Sequence, residues 1–149
     1  MIGIRLAQAK SSFFDKPAVM SAVDKATRKV LSKFGAFVRT RSRSSIRRRK
    51  KTSAPGQPPS SHLGLLKDNI FFVFDKSRQS VVIGPILLNQ KTHSTPEALE
   101  YGGPSQVFQG RRERKKLRTV EIRPRPFMGP AFEQEQQKLP ALWRDSIRK

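Results

Sequence analysis

The chain has 149 residues, a length suited to one domain, and its 36% hydrophobic content limits it to one modest core. Thirty-one Lys and Arg stand against 11 Asp and Glu, a net charge of +20 that calls for polyanions or acidic proteins as neighbours. Cysteine is absent, which excludes disulfides, thiolate metal sites and thiol nucleophiles and suits a reducing compartment.

Met1 to Lys10 alternates apolar and basic residues without the continuous apolar stretch of a signal peptide. Nowhere do roughly 18 apolar residues run together, so neither export by a leader nor a membrane span is expected. Ile2, Ile4 and Leu6 alternate as a short strand would. Asp15-Lys16-Pro17 then reads as a helix start, because proline in the first turn lacks only an N–H that would be orphaned there anyway.

From Pro17 to about Arg49 the spacing predicts one long amphipathic helix. Met20, Val23, Ala26, Val30, Leu31, Phe34, Phe37 and Val38 advance by three or four, and Asp24, Lys25, Arg28, Lys29 and Lys33 fill the other face. Gly35 weakens its middle. The apolar stripe fades where Arg39, Arg41, Arg43, Arg47, Arg48, Arg49, Lys50 and Lys51 cluster, and residues 1–60 hold 15 basic against 2 acidic side chains. Thr52 to Ser61, with Pro55, Gly56, Pro58 and Pro59, forbids helix and sheet; together with the basic run it predicts a projecting basic, proline-rich arm or loop over about 39–62.

Ile70 to Phe74 and Ser80 to Gly84, flanking the polar turn Asp75-Lys76-Ser77-Arg78, predict an antiparallel hairpin. The run from Ile70 to Phe74 is apolar at every position. It therefore predicts a strand that meets the long helix on one face and another subunit on the other, with Ile70, Phe72 and Phe74 as candidate oligomer contacts. Leu87 to Thr95 is a connection, and Ala98 to Gly103 reads as a strand ending on glycines. Val107-Phe108 with Val120 and Ile122 form a second hairpin. Its tip, at about 110–118, is a second basic knuckle holding Arg111, Arg112, Arg114, Lys115, Lys116 and Arg118. Pro130 opens a final helix carrying Phe132, Leu139, Leu142, Trp143 and Ile147, which Pro140 should kink. The fold class is α+β in a single domain, 1–149: a long N-terminal helix on a small, mainly antiparallel sheet, closed by a C-terminal helix. No repeat of solenoid period is present.

Candidate chemistry is sparse. His62 borders the proline-rich loop, and His93 and Glu97 have the i, i+4 spacing of a ligand pair, but Pro96 argues against the helix that would align them. Asp68, Asp75, Glu97 and Glu100 are the acids available for a paired-carboxylate nuclease, and their plainer readings are element junctions and turns. The glycines never form a phosphate-cradling motif. No catalytic residue, metal or cofactor is assigned. The two basic clusters have the composition that phosphate neutralisation needs, and the phenylalanines lie elsewhere, so backbone contact is favoured over base stacking.

Five segments, taken in order, resemble the neck proteins of tailed bacteriophages, the tail-completion and head-tail joining group similar to minor tail protein Z of lambda. They are the amphipathic helix running into an Arg-rich segment and Pro55 to Pro59; Gly64-Leu65-Leu66-Lys67-Asp68-Asn69-Ile70; Val81-Val82-Ile83-Gly84-Pro85; Leu99-Glu100-Tyr101-Gly102-Gly103; and Arg125-Pro126-Phe127-Met128-Gly129-Pro130-Ala131-Phe132. The long basic segments at 39–51 and 111–118 depart from a minimal member. The resemblance implies a structural, non-enzymatic virion component at the head-tail junction, assembled in the host cytoplasm. It would form a homo-oligomeric ring, six-fold or twelve-fold, around the DNA channel, with connector and tail proteins as neighbours and no membrane. The competing expectations are a ribosomal or other RNA-binding protein, which shares this charge and size, and a small DNA nuclease.

Overall fold

The computed structural model describes residues 16–86, 95–109 and 116–146. The expected strand at Ile2 to Leu6, most of the Leu87 to Thr95 connection with His93, the knuckle residues Arg111, Arg112, Arg114 and Lys115, and Ile147 lie outside them.

Helix α1 spans Lys16–Ser45, about 45 Å at 1.5 Å per residue, with Pro17 in its first turn. It stops four residues short of the expected Arg49. Ser42, Ser44 and Ser45 turn their hydroxyls back onto the carbonyls of Val38, Arg41 and Ser42, each at 2.8 Å, a competition with the helical ladder that serines favour. Ile46 then plunges into the core, fully buried. Strand β1, Arg47–Arg48, pairs in parallel with β2, Ser60–Ser61, closing the proline-rich segment into a loop. The loop is folded back rather than projecting: Gly56 donates its N–H to Pro124 O at 2.9 Å, and Arg125 Nε donates to Ser53 O at 3.1 Å.

A single helical turn, α2 (Leu65–Asp68), leads into the expected hairpin of β3 (Ile70–Asp75) and β4 (Ser80–Pro85), in register from Ile70 opposite Pro85 to Asp75 opposite Ser80. Asp75 Oδ1 holds the turn by accepting from Ser77 Oγ and from the Ser77 and Arg78 N–H groups. The Ser77 hydroxyl and then the Arg78 N–H hold its carboxyl below the usual value, against a small opposing effect of burial.

The hairpin packs on α1, in close contact around Gly35 and Arg39. Gly35 is the notch that lets it approach, since a Cβ there would lie 2.8 Å from both Phe72 and Val81. That contact fixes the faces of β3. Ile70 is fully buried and Phe72 lies against α1, while Phe71, Val73 and, on β4, Val82 are exposed. The outer surface of the hairpin thus carries Phe71 and Val73, and Ile70, Phe72 and Phe74 share the parity of the helix-facing side.

The expected strand at Ala98 to Gly103 is instead a helix, α3 (Thr95–Tyr101). Pro96 is tolerated in its first turn, Ala98, Leu99 and Glu100 are good helix formers, and Gly102 at φ +83 ends it, donating to Ala98 O at 2.9 Å. The second hairpin is present as β5 (Gly103–Gln109) and β6 (Lys116–Ile122), Gly103 opposite Ile122. The described strands therefore form three separate two-stranded units, one parallel and two antiparallel, rather than one sheet.

The C-terminal helix is two short ones, α4 (Gly129–Gln136) and α5 (Leu139–Arg144). Pro140 sits in the first turn of α5 and starts a new helix instead of kinking an old one. Both pack on α1. Two adjoining clusters make the core: Ile46, Leu66, Ile70 and Phe127; and Phe34, Val38 and Ala131, where the Phe34 and Phe132 rings meet edge to face at 5.5 Å. Met128 touches both clusters.

Candidate polyanion-binding surface

The basic segment expected to act as one cationic patch is divided by its internal partners. Arg39 donates from Nε to Ile70 O at 2.9 Å, with its guanidinium 5.8 Å from the Phe71 ring, which ties α1 to β3. Arg41 pairs through Nε with Glu135 Oε1 and reaches Gln134 Oε1 at 2.7 Å, tying α1 to α4. Arg43 and Arg48 take one oxygen each of Asp68, both at 3.3 Å. Gly64, at φ +86, provides the seat for this arrangement: a Cβ there would fall 2.6 Å from Arg48 Nη2 and 2.9 Å from Asp68 Oδ2. Four of the eight cations are thus occupied in holding the fold.

Glu135 is the acid that the sequence conceals. Its side chain is 3% exposed and receives Arg41 on one oxygen and Lys138 Nζ, at 2.7 Å, on the other. Burial pushes its carboxyl up, but the hydrogen bonds and charges of Lys138 and Arg41 outweigh burial and hold it below the ordinary 4.5.

Arg47, Arg49, Lys50 and Lys51 are exposed and have no ion pair among the described residues. Arg47 and Arg49 turn to a different side from Arg48. Arg48 turns toward Asp68, while its two neighbours line a cleft of about 510 Å³ between the end of α1 and the proline-rich loop. The rest of the wall comes from the end of α1 and the loop, Ser44, Ser45, Ser53, Gln57 and Ser60 among it, and no acidic side chain takes part. Ser53 Oγ is buried with no hydrogen-bond partner, an unmet donor whose desolvation costs about 1–3 kcal/mol. Of the second basic cluster, Lys116 and Arg118 lie on β6; the rest of the knuckle falls outside the described residues.

The acids considered for a nuclease do not gather into one cluster, although Glu97 and Glu100, both on α3, line a common pocket. Asp68 serves the two arginines, Asp75 holds a turn, and Glu97 is exposed on α3. Glu100 accepts three backbone N–H groups: Phe127 at 2.9 Å and Met128 at 3.0 Å on Oε2, and Gly129 at 2.7 Å on Oε1. Arg125 N–H bonds Leu99 O alongside it, at 2.6 Å. Two of the resembling segments, around Glu100 and around Phe127, are therefore two halves of one joint. His62 is exposed at the end of β2, and no group of three or more His, Asp or Glu gathers as a metal site among the described residues. No helix among them is long and apolar enough to cross a membrane.

What sequence reasoning missed here is long-range. The signals available were an acid at 135 on the same helix face as Ala131, and a lone acid at 100 inside an otherwise apolar segment, both rare features in a chain this basic. No family model, curated protein or solved structure matches the chain.

Proposed function

We propose that this protein is a structural component of the neck of a tailed bacteriophage, a tail-completion or head-tail joining subunit that forms a ring around the DNA channel, six-fold in the first instance, and catalyses no reaction. The observation that carries the reading is the unfinished apolar stripe of α1. Buried residues begin only at Val30, and Val19, Met20 and Val23 in the preceding turns stand 42%, 57% and 55% exposed. The exposed Phe71, Val73 and Val82 of the hairpin add a second apolar surface, crossed by Arg39 of α1 over the Phe71 ring.

A free monomer gains nothing from extending an amphipathic helix about 20 Å beyond its core. A subunit does, because burial against neighbours is worth about 25 cal/mol per Å². The +20 charge supports the same reading, since connector and tail proteins and packaged DNA would supply the opposite sign in the virion. The order of the resembling segments adds to it.

Electron microscopy of the purified chain, at rising concentration and with duplex DNA added, tests this. Rings with a central channel are expected, and a Val19→Ser, Met20→Gln, Val23→Thr variant should stay monomeric while unfolding at the same temperature. Monomers at every concentration that co-purify with ribosomal RNA would replace the reading with an RNA-binding protein. Metal-dependent DNA cleavage lost in Asp68→Asn would replace it with a nuclease.

A further inference from the structure

We propose that the cleft between the end of α1 and the proline-rich loop is a binding site for a backbone phosphodiester, with Arg47 and Arg49 supplying charge and Ser53 a hydroxyl donor. The proposal rests on the neck reading only in taking channel DNA as the source of the phosphate.

Four observations converge on this cleft rather than on the cationic segment as a whole. Its arginines are the ones left over after Arg39, Arg41, Arg43 and Arg48 are consumed internally, and no carboxylate in the lining competes for them. Ser53 lines the cleft and its buried Oγ has no hydrogen-bond partner, so a change of its side-chain rotamer would turn the O–H to an acceptor there without breaking a bond. The wall that carries Ser53 is fixed in advance: Arg125 Nε bonds the Ser53 carbonyl, Gly56 N–H bonds Pro124 O, and Pro55 between them, with Pro58 and Pro59 after them, stiffens the loop. The volume, about 510 Å³, lies in the range of ligand pockets and admits a phosphate with its flanking sugars.

Donor count selects phosphodiester over a protein carboxylate. Two guanidinium forks and several serine hydroxyls offer more donors than two carboxylate oxygens can satisfy, whereas a phosphodiester presents two anionic and two ester oxygens. No aromatic ring lines the cleft, so bases are not stacked there and contact is independent of sequence.

The test is fluorescence anisotropy with a labelled random-sequence duplex, titrated between about 50 and 200 mM salt. Arg47→Gln with Arg49→Gln is expected to weaken binding and to lower the log–log salt slope by about one to two, the loss of one or two phosphate contacts. Arg43→Gln, whose guanidinium is engaged by Asp68, should leave the slope unchanged. Ser53→Ala should weaken binding about five-fold at constant slope, and, because it removes an unsatisfied buried hydroxyl, without loss of fold. An unchanged slope in the double variant, no effect of Ser53→Ala, or a poly-glutamate peptide that binds equally tightly with the same dependence on Ser53 would each overturn the site. Electron microscopy of the same variants separates the two proposals. Rings that lack the phosphate contact overturn this inference alone, and phosphate binding by a permanent monomer overturns the neck reading alone.

Discussion

Glu100 joins two distant parts of the chain through one carboxylate. The segment Phe127 to Gly129 turns sharply into α4, and its three consecutive N–H groups converge on Glu100 instead of on a ladder. Removing the acceptor leaves all three part-buried donors short of a partner, while Phe127, 1% exposed, still has to be seated beneath them. Hydrogen bonds to a charged group contribute about 1.5–3 kcal/mol, and an abandoned buried donor costs a similar amount. Because the three donors share one carboxylate and water can reach part of the turn, the losses will not add fully. We expect Glu100→Ala to lose about 3 kcal/mol by urea denaturation, and Glu100→Gln, which keeps one oxygen acceptor, about 1 kcal/mol. A loss below about 1 kcal/mol for the alanine variant would mean that burial of Phe127 alone holds the turn.

At the scale of elements, Gly35 reverses an ordinary rule. In an exposed helix Gly→Ala stabilises by about 1 kcal/mol, since alanine loses less backbone freedom. Here the added methyl would stand 2.8 Å from both Phe72 and Val81, inside the contact by which the hairpin is seated. Overpacking of that kind costs about 1–3 kcal/mol, so the clash outweighs the propensity gain and Gly35→Ala should lower stability by about 1 kcal/mol on balance. A rise in its thermal midpoint would show that β3 and β4 do not press on α1 at this point. The same residue marks where sequence reading stops. The periodicity of Val30, Phe34 and Val38 was enough to place α1 and its buried stripe, and the polar turn between two apolar runs was enough for the hairpin. Both are local patterns. That glycine 35 is a notch rather than a weak spot, and that four of the six arginines from 39 to 51 are bound internally, depend on partners 20 to 94 residues away. Which of Arg47, Arg48 and Arg49 face the cleft likewise depends on Asp68, which takes the middle one.

For the whole molecule, two electrostatic effects compete. Described ion pairs such as Arg41 with Glu135, Lys138 with Glu135 and the arginines on Asp68 hold elements together, while +20 spread over 149 residues pushes them apart. Exposed pairs contribute only about 0–1 kcal/mol each, and Glu135, the one well-buried acid among the described residues, is the least open to screening. The repulsion is long-ranged, and shrinking the Debye length from about 10 Å at 0.1 M salt to about 3 Å at 1 M removes most of it. Repulsion should therefore dominate, and the isolated chain should unfold at a higher temperature as sodium chloride is raised. Six copies would carry about +120, equivalent to roughly 200 Å of duplex at one charge per 1.7 Å, far more DNA than a ring one domain thick can touch. In such a ring the remaining charge would face acidic neighbouring proteins or solvent; on the isolated chain, a short polyanion such as polyphosphate should raise the thermal midpoint at low salt and lose that effect once salt alone has screened the chain. A midpoint that falls with salt would mean that the internal pairs outweigh the surplus, and that this fold tolerates its charge without an assembly to neutralise it.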